Sequence, residues 1–414
     1  MSAWSILPGL NRAGWLRAAD WFALAVAVTL PWSTTATGIF IALWLITILP
    51  AMEFGMLRRE LTRAAGFLPV ALWVLAAIGM LWADVTWAER LAGLGKFHRL
   101  LLIPVLLAHF RVSERGIYVV YGFFSSVLLL LIVSWGLAVI PGLPWRGMHQ
   151  PGVPAKDYIF QSTDFLICAF ALLGYAVVEG RARRWRLTLV LIILSGLFLA
   201  NIFFVISSRT SFVVAPVLLL LFGWGQFGWR GFVGAGLIAV LLGVGIWFGS
   251  PYVRERIDTS LIELRYYRES NTLSSTALHL EFLRKSVLFI EAAPIIGHGT
   301  GSIGEEFRNA ALGQTGASAE LVQNPHNQIF AVAIQLGIIG AALLLAMWAA
   351  HLILFAREGL IAWMGLVLVT ENIVSSLFNS HLFDFTSGWL YVFGVGVLGG
   401  MVLRERDAAA VSAP

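Results

Sequence analysis

The chain has 414 residues, of which 59% are hydrophobic and 12% charged; it carries 17 Trp and a formal net charge of +5. With a mean hydropathy of +0.83, this composition excludes a soluble globular protein and specifies an integral α-helical membrane protein. The apolar runs are continuous, which excludes a β-barrel, and the single Cys168 excludes an intrachain disulfide or a thiolate metal cluster.

Twelve spans are predicted, at about 21–35, 38–53, 67–83, 98–110, 117–140, 159–179, 187–206, 210–226, 231–249, 328–355, 359–379 and 386–403. No small-residue cleavage pattern accompanies the first run, so it is read as an uncleaved anchor. If the N-terminus is cytoplasmic, the inner segments hold Arg12, Arg17, Arg58, Arg59, Arg63, Arg111, Arg115, Arg181, Arg183, Arg184, Arg186, Arg230, Arg357, Arg404 and Arg406. The short outer loops then hold only Arg90, Lys96, Arg99, Arg146, Lys156 and Arg209. This is the asymmetry of the positive-inside rule, and it puts both chain ends in the cytoplasm. The expected fold is an all-α polytopic membrane protein of about 12 transmembrane helices with one large periplasmic loop that contains helices. Its expected organisation is residues 1–249 as spans one to nine, 250–327 as the loop, and 328–414 as spans ten to twelve with a cytoplasmic tail.

The loop at 250–327 is the hydrophilic exception in the chain. It carries Arg254, Arg256, Arg265, Arg268, Arg284, Lys285 and Arg308, cations expected to meet an anionic ligand at the membrane. Residues 252–264 and 277–292 have helical apolar spacing, and Pro294, Gly297, Gly299, Gly301 and Gly304 predict a tight, irregular segment after them. The Gly-His-Gly-Thr-Gly at 297–301 lacks the Lys-Ser/Thr of a phosphate loop and a preceding strand, so it reads as a close-approach turn.

His326, in Asn-Pro-His-Asn-Gln at 324–328, lies at the outer end of the tenth span. A neutral imidazole there suits a general base acting on a hydroxyl, with the neighbouring amides fixing its tautomer; the plainer alternative is a helix-end cap. Arg209, in Ser-Ser-Arg-Thr-Ser at 207–211, sits between two apolar runs. It either binds phosphate or snorkels from a short turn. Arg265 and Arg268 are spaced i,i+3 and share a face if that segment is helical, where paired guanidiniums match a pyrophosphate and a solvated charged face is the alternative. Arg146 and Lys156, in the Pro- and Gly-rich loop 141–156, extend the same basic rim. No carboxylate or histidine stands at ligand spacing from His326, so no metal is expected.

Together these pieces resemble the lipopolysaccharide O-antigen ligase and polymerase superfamily. The resemblance rests on Ser-Arg-Thr at 208–210, Pro294-Ile295-Ile296-Gly297-His298-Gly299 and Pro325-His326-Asn327, in that order. A dozen spans with one large outer loop before the His complete it, so it covers nearly the whole chain. In one place the chain departs from the pattern: where the family shows an arginine early in the helix before the Pro-x-x-Gly-x-Gly segment, this sequence offers His279. Either His279 supplies that contact, or Arg265 or Arg284 has taken it over. The resemblance implies a GT-C-like fold and a glycosyltransferase that moves a preassembled polysaccharide from undecaprenyl pyrophosphate to a sugar hydroxyl of lipid A–core. His326 is then the functional histidine, and Arg209 with Arg265, Arg268, His279 and Arg146 meets the pyrophosphate. Transfer inverts the anomeric carbon and needs neither metal nor cofactor. The implied partners are the lipid-linked donor, the lipid A–core acceptor and membrane lipids, with no nucleic acid. The competing readings are an O-antigen polymerase, a protein O-glycosyltransferase, and a transporter of lipid-linked sugar.

Overall fold

The computed structural model describes residues 11–140, 142, 144–145, 150–206, 208–249, 254–255, 258–259, 261–263 and 274–412. Among these residues the secondary structure is helical, with no strand. The elements are α1 (Arg12–Thr29), α2 (Thr34–Ile48), α3 (Phe54–Leu61), α4 (Ala64–Gly79), α5 (Trp87–Gly95), α6 (Leu102–Val112), α7 (Gly116–Val139) and α8 (Tyr158–Arg181). They continue with α9 (Trp185–Asn201), α10 (Arg209–Gly249), α11 (Ser275–Ala292), α12 (Ile303–Ala311), α13 (Gln328–Phe355), α14 (Leu360–Ser375) and α15 (Phe385–Ser412). Seven helices are long and apolar enough to cross a membrane, and nine are if the bent pairs α3–α4 and α5–α6 each count as one span. α14 is a shorter apolar helix. The 41-residue α10 breaks at Gly228, which has φ of 64°. Gly223 and Gly231 face each other across that break, where a methyl on either would overlap the other's carbonyl, so α10 folds back on itself as a tight hairpin. Each of the twelve predicted runs thus has a helical counterpart.

Side-chain chemistry separates the two ends of the bundle. At the end with the chain termini, Arg111 donates to Glu60 (2.6 Å) and, through two nitrogens, to Asp407 (both 2.8 Å). Asp20 there accepts from His109 and Ser113. At the other end the turns after α1 and α7 meet the start of α15, through Lys156 on the Leu30 carbonyl and the Thr386 hydroxyl. α15 is almost wholly buried and lies against α6 and α14, whereas α10 is nearly all exposed. An apolar surface left exposed along a helix of that length suits lipid contact.

The hydrophilic segment is tied into the bundle by backbone. In an unbroken α13, Ile338 N–H would donate to the Ile334 carbonyl. Instead α13 breaks at Gly337 (φ 61°). Residues 294–299 fill the gap: His298 N–H donates to the Ile334 carbonyl (2.8 Å), Gly299 N–H to that of Gln335 (2.9 Å), and Ile338 N–H to that of Pro294 (2.8 Å). Thr300 then donates from N–H to the Gly79 carbonyl (3.1 Å) and from its hydroxyl to that of Ala76 (2.5 Å). The close-approach turn expected at 297–301 is borne out, because Gly297, Gly299 and Gly301 all have positive φ and all abut neighbouring backbone. His298 locks the turn from its side chain, donating from Nε2 to the Phe289 carbonyl (2.8 Å) and from Nδ1 to Glu306 (3.1 Å). Of the two predicted loop helices, the second is α11, and the first falls mostly outside the described residues.

A Cβ at Gly337 would collide with the Ile295 carbonyl, and one at Gly304 would meet only ordinary contact. Gly337→Ala is therefore expected to destabilise the protein by about 1–3 kcal/mol from overpacking alone, with added strain from positive φ. Gly304→Ala should be close to neutral. Thermal unfolding of the purified variants in detergent checks the contrast, and equal midpoints would contradict this packing.

Candidate active site

The site begins with a strained turn. His326 has φ of 54°, outside the range most side chains adopt. Local polar groups hold it there. Asn324 Oδ1 accepts the His326 N–H (2.9 Å), while Asn324 Nδ2 donates to Asn379 Oδ1 (2.7 Å). Asn327 caps α13 by accepting from Phe330 N–H (3.1 Å), and its amide donates to the Leu377 carbonyl (3.1 Å). Gln328 completes the tie: its N–H donates to the Ser376 carbonyl (2.8 Å), and its Oε1 accepts from Leu382 N–H (2.9 Å). The amides adjacent in sequence thus fix the backbone, and the amide that bonds the His326 ring is Asn379, from the turn between α14 and α15. That corrects the expectation that the neighbouring amides set its tautomer.

Two elements enclose the ring. On α11, His279 lies with its ring centroid 4.6 Å from that of His326, and Phe282 stacks at 5.8 Å with an interplanar angle of 15°. Burial pushes the His326 imidazole well below its ordinary value, to about 4, and the neighbouring His279 adds to the fall; the hydrogen bond with Asn379 and the charge of Asp384 oppose it. The free imidazole is therefore the resting form at neutral pH. Behind the ring, Asn379 Nδ2 donates to Asp384 Oδ2 (2.9 Å), and His381 Nδ1 lies 3.6 Å from the same oxygen. His381 is buried with no hydrogen bond at either ring nitrogen. A polar path thus runs from His326 through Asn379 to Asp384.

The same face of α11 reaches Arg209. Thr276 stands three residues before His279, so their side chains are neighbours about 4.5 Å apart along the helix axis. Its hydroxyl accepts from Arg209 Nη1 (3.5 Å) and donates to Glu263 (2.5 Å). The Arg209 Nε–H is buried without a protein partner. One helix face, through Thr276, His279 and Phe282, therefore brings the start of α10 and the start of α13 to one patch.

The structure brings together three of the sequence-predicted site residues, His326, Arg209 and His279. Arg146, Arg265 and Arg268 lie outside the described residues. Arg284, the other candidate to replace the missing arginine, is held by buried Glu281 in a two-point pair (2.9 and 2.6 Å). Sequence reasoning missed Asn379, His381 and Asp384, and did not connect Lys96 and Arg99 with the site. Arg99 donates to the carbonyls of Phe383 (3.3 Å), Asp384 and Phe385 (3.4 Å). Lys96 reaches the Gln323 carbonyl (3.5 Å) and lies 5.9 Å from the Phe383 ring. A signal for these cations was present: Lys96, Arg99, Lys156 and Arg209 are exceptions to the positive-inside pattern, and all four gather at this end. Among the described residues, no group of three His, Cys, Asp or Glu could hold a metal ion.

Residues 194–345 match the family model described as O-antigen ligase. The matched stretch is a little over a third of the chain. It takes in Arg209, α11, the 294–301 turn and His326, and it ends within α13. The match supports an O-antigen ligase or polymerase-type function in general terms. Lys96, Arg99, Asn379 and Asp384 lie outside the matched stretch. No curated protein matches the chain.

The two neighbours of His326 act on it in opposite directions. His279→Ala should raise the His326 titration midpoint yet leave it below the ordinary histidine value, because burial is the larger cause. Asp384→Asn should lower it. Titration of labelled histidines by NMR reads both shifts, and a rise in the Asp384 variant would contradict this arrangement.

Proposed function

We propose that the protein transfers a preassembled polysaccharide from undecaprenyl pyrophosphate to a sugar hydroxyl of lipid A–core, on the periplasmic face of the inner membrane. The observation that carries this reading is a neutral imidazole, His326, set against the same face of α11 as Arg209, whose Nε–H has no partner among the described residues. The acceptor hydroxyl oxygen attacks the anomeric carbon as its proton passes to His326. The bond from that carbon to the pyrophosphate oxygen breaks, and undecaprenyl pyrophosphate leaves with the electron pair. Attack from the face opposite the leaving group inverts the configuration. Arg209 meets the leaving charge, with Lys96, Arg265, Arg268 and Arg146 as further cations. Guanidinium and ammonium groups can stabilise developing phosphate charge without a metal.

An apolar groove lined by Leu30, Phe124, Ile167 and Leu390 lies between α1, α7, α8 and α15. It reaches the turn where Lys156 caps the Leu30 carbonyl. This supports a place for the isoprenoid tail below the charged head. Among the described residues the site cations gather round one exposed-edge imidazole pair, which suits a single lipid pyrophosphate. A polymerase must seat two, one for the donor and one for the growing acceptor, so ligase is the preferred reading.

A base with a midpoint near 4 is available but weak. The negative charge of a bound pyrophosphate favours the imidazolium and so strengthens the base when the donor arrives. The acid limb of kcat/KM, which reports the free enzyme, should therefore fall well below pH 6.5 as His326 protonates. The limb of kcat, which reports the donor complex, should lie higher. A pH–rate series at saturating and limiting donor checks this. Coincident limbs at or above 6.5 would remove His326 as the base.

His326→Ala should reduce transfer by about 10²–10⁴-fold while the protein still purifies as a folded species, since the ring packs at a surface patch and not in the main core. Arg209→Ala should weaken donor use roughly ten- to hundredfold, the range for a lost charge-assisted hydrogen bond. Arg209→Lys should restore only part, because a lysine keeps the charge and loses the planar fork. Reconstituted transfer assays with lipid-linked glycan and lipid A–core measure all three. Full activity in the His326 variant, or full rescue by lysine, would contradict the assigned roles.

A further inference from the structure

The end of the bundle opposite the candidate active site contains a cavity of about 270 Å³ between the starts of α4 and α15's last turns, lined by Glu60, Arg63, Arg357 and Arg406 on its polar side. Most arginines nearby have partners. Arg111 is shared between Glu60 and Asp407, Arg59 pairs with Asp407, and Arg12 pairs with Glu53. Arg63, Arg357 and Arg406 differ. Their side chains make no hydrogen bond or ion pair among the described residues, and all three border one space. Neither Glu358 nor Glu405, their neighbours in sequence, lines it. Charges retained only to orient the chain would have no reason to converge.

Two further observations point to what fills the space. Arg63 is the N-cap of α4 and makes no side-chain capping bond. Ala64 and Ala65, the first residues of α4, line the cavity at a helix start without a side-chain cap, and a helix start of this kind attracts an anion. Glu60 uses one oxygen on Arg111, while its Oε2 is buried without a partner. That atom requires a donor. The remaining walls are apolar, from Ala350, Ile353, Leu354 and Leu403, and Ile353 is exposed along α13 where acyl chains would run.

We propose that this cavity binds the headgroup of an anionic glycerophospholipid of the phosphatidylglycerol type. The phosphodiester sits among Arg63, Arg357, Arg406 and the α4 N-terminus. A headgroup hydroxyl donates to Glu60 Oε2, and the acyl chains lie against Ile353 and Leu354. A free phosphate ion would satisfy the arginines but leave the apolar wall uncovered. This site is independent of the transfer reaction proposed above.

The test is native mass spectrometry of the full-length protein, delipidated and titrated with phosphatidylglycerol or phosphatidylcholine, with thermal unfolding in parallel. The wild type should retain one phosphatidylglycerol in preference to phosphatidylcholine and unfold at higher temperature with it. Arg357→Gln and Arg406→Gln should each weaken that binding about fivefold, the contribution of a juxtamembrane cation at an anionic leaflet. Both side chains are exposed and unpaired, so both variants should fold. Arg59→Gln, which removes a cation paired with Asp407 and outside the cavity, should leave binding unchanged. Equal retention of the two lipids by the wild type, or equal losses in the Arg59 and Arg357 variants, would overturn the proposal. So would equal thermal protection by millimolar inorganic phosphate, which would show that a soluble anion is the occupant.

Discussion

The candidate site depends on one backbone-to-backbone contact, between residues 294–299 and the break in α13 at Gly337. A buried peptide group left unpaired costs free energy comparable to a lost hydrogen bond. A helix broken inside the bundle therefore needs replacement partners. Here the chain that follows α11 supplies them, at the Ile334 and Gln335 carbonyls and the Ile338 N–H. The contact has a geometric result. It sets the exit of α11 against α13, so His279 and Phe282 arrive over the ring of His326 at the start of that same helix. Glycine is required on both sides because the two backbones touch where a side chain would stand.

The two ends of the bundle solve the problem of charge near the membrane in different ways. At the end with the termini, acids and arginines largely neutralise one another, as in the Glu60–Arg111–Asp407 group. At the other end, Arg284 and Arg308 also pair with acids, but the cations nearest the α14–α15 turn bond carbonyl oxygens. Arg99 holds three successive carbonyls of the α14–α15 turn, and Lys156 holds that of Leu30. Such bonds satisfy the donor without cancelling its charge. The same turn carries Asn379 and Asp384, which places a carboxylate behind the His326 ring. Desolvation keeps His326 neutral in that setting, and an arriving anion reverses part of the effect.

Much of the fold was legible in the sequence because bilayer length and charge asymmetry act locally. The twelve apolar runs each became helix, the glycines at 297, 299 and 301 became a close-approach turn, and the apolar stripe from Leu280 to Ile290 became α11. His326 and Arg209 were legible for a related reason: both are polar residues at span ends. Their relationship was less so, because it is made by Thr276 and His279, which are ordinary residues in sequence and meaningful only as neighbours on one helix face. The α14–α15 turn was silent. Asn379, His381 and Asp384 form no spaced motif, and they reach His326 from more than fifty residues away in the chain. The role of Gly337 was equally hidden, since a glycine in an apolar run reads as tolerated until its φ is known.

The central claim is that one patch, built by α11 from the starts of α10 and α13, transfers glycan by general base and cation chemistry alone. The most direct measurement uses the purified wild-type protein, treated with a chelator and mixed with undecaprenyl-pyrophosphate-linked glycan and lipid A–core. The products are then resolved by size, and the configuration of the new linkage is read by NMR. The account predicts glycan-bearing lipid A–core, formed in the chelated sample, with its anomeric configuration inverted relative to the donor. Product that appears only after a divalent cation is restored, or that retains the donor's configuration, would contradict it.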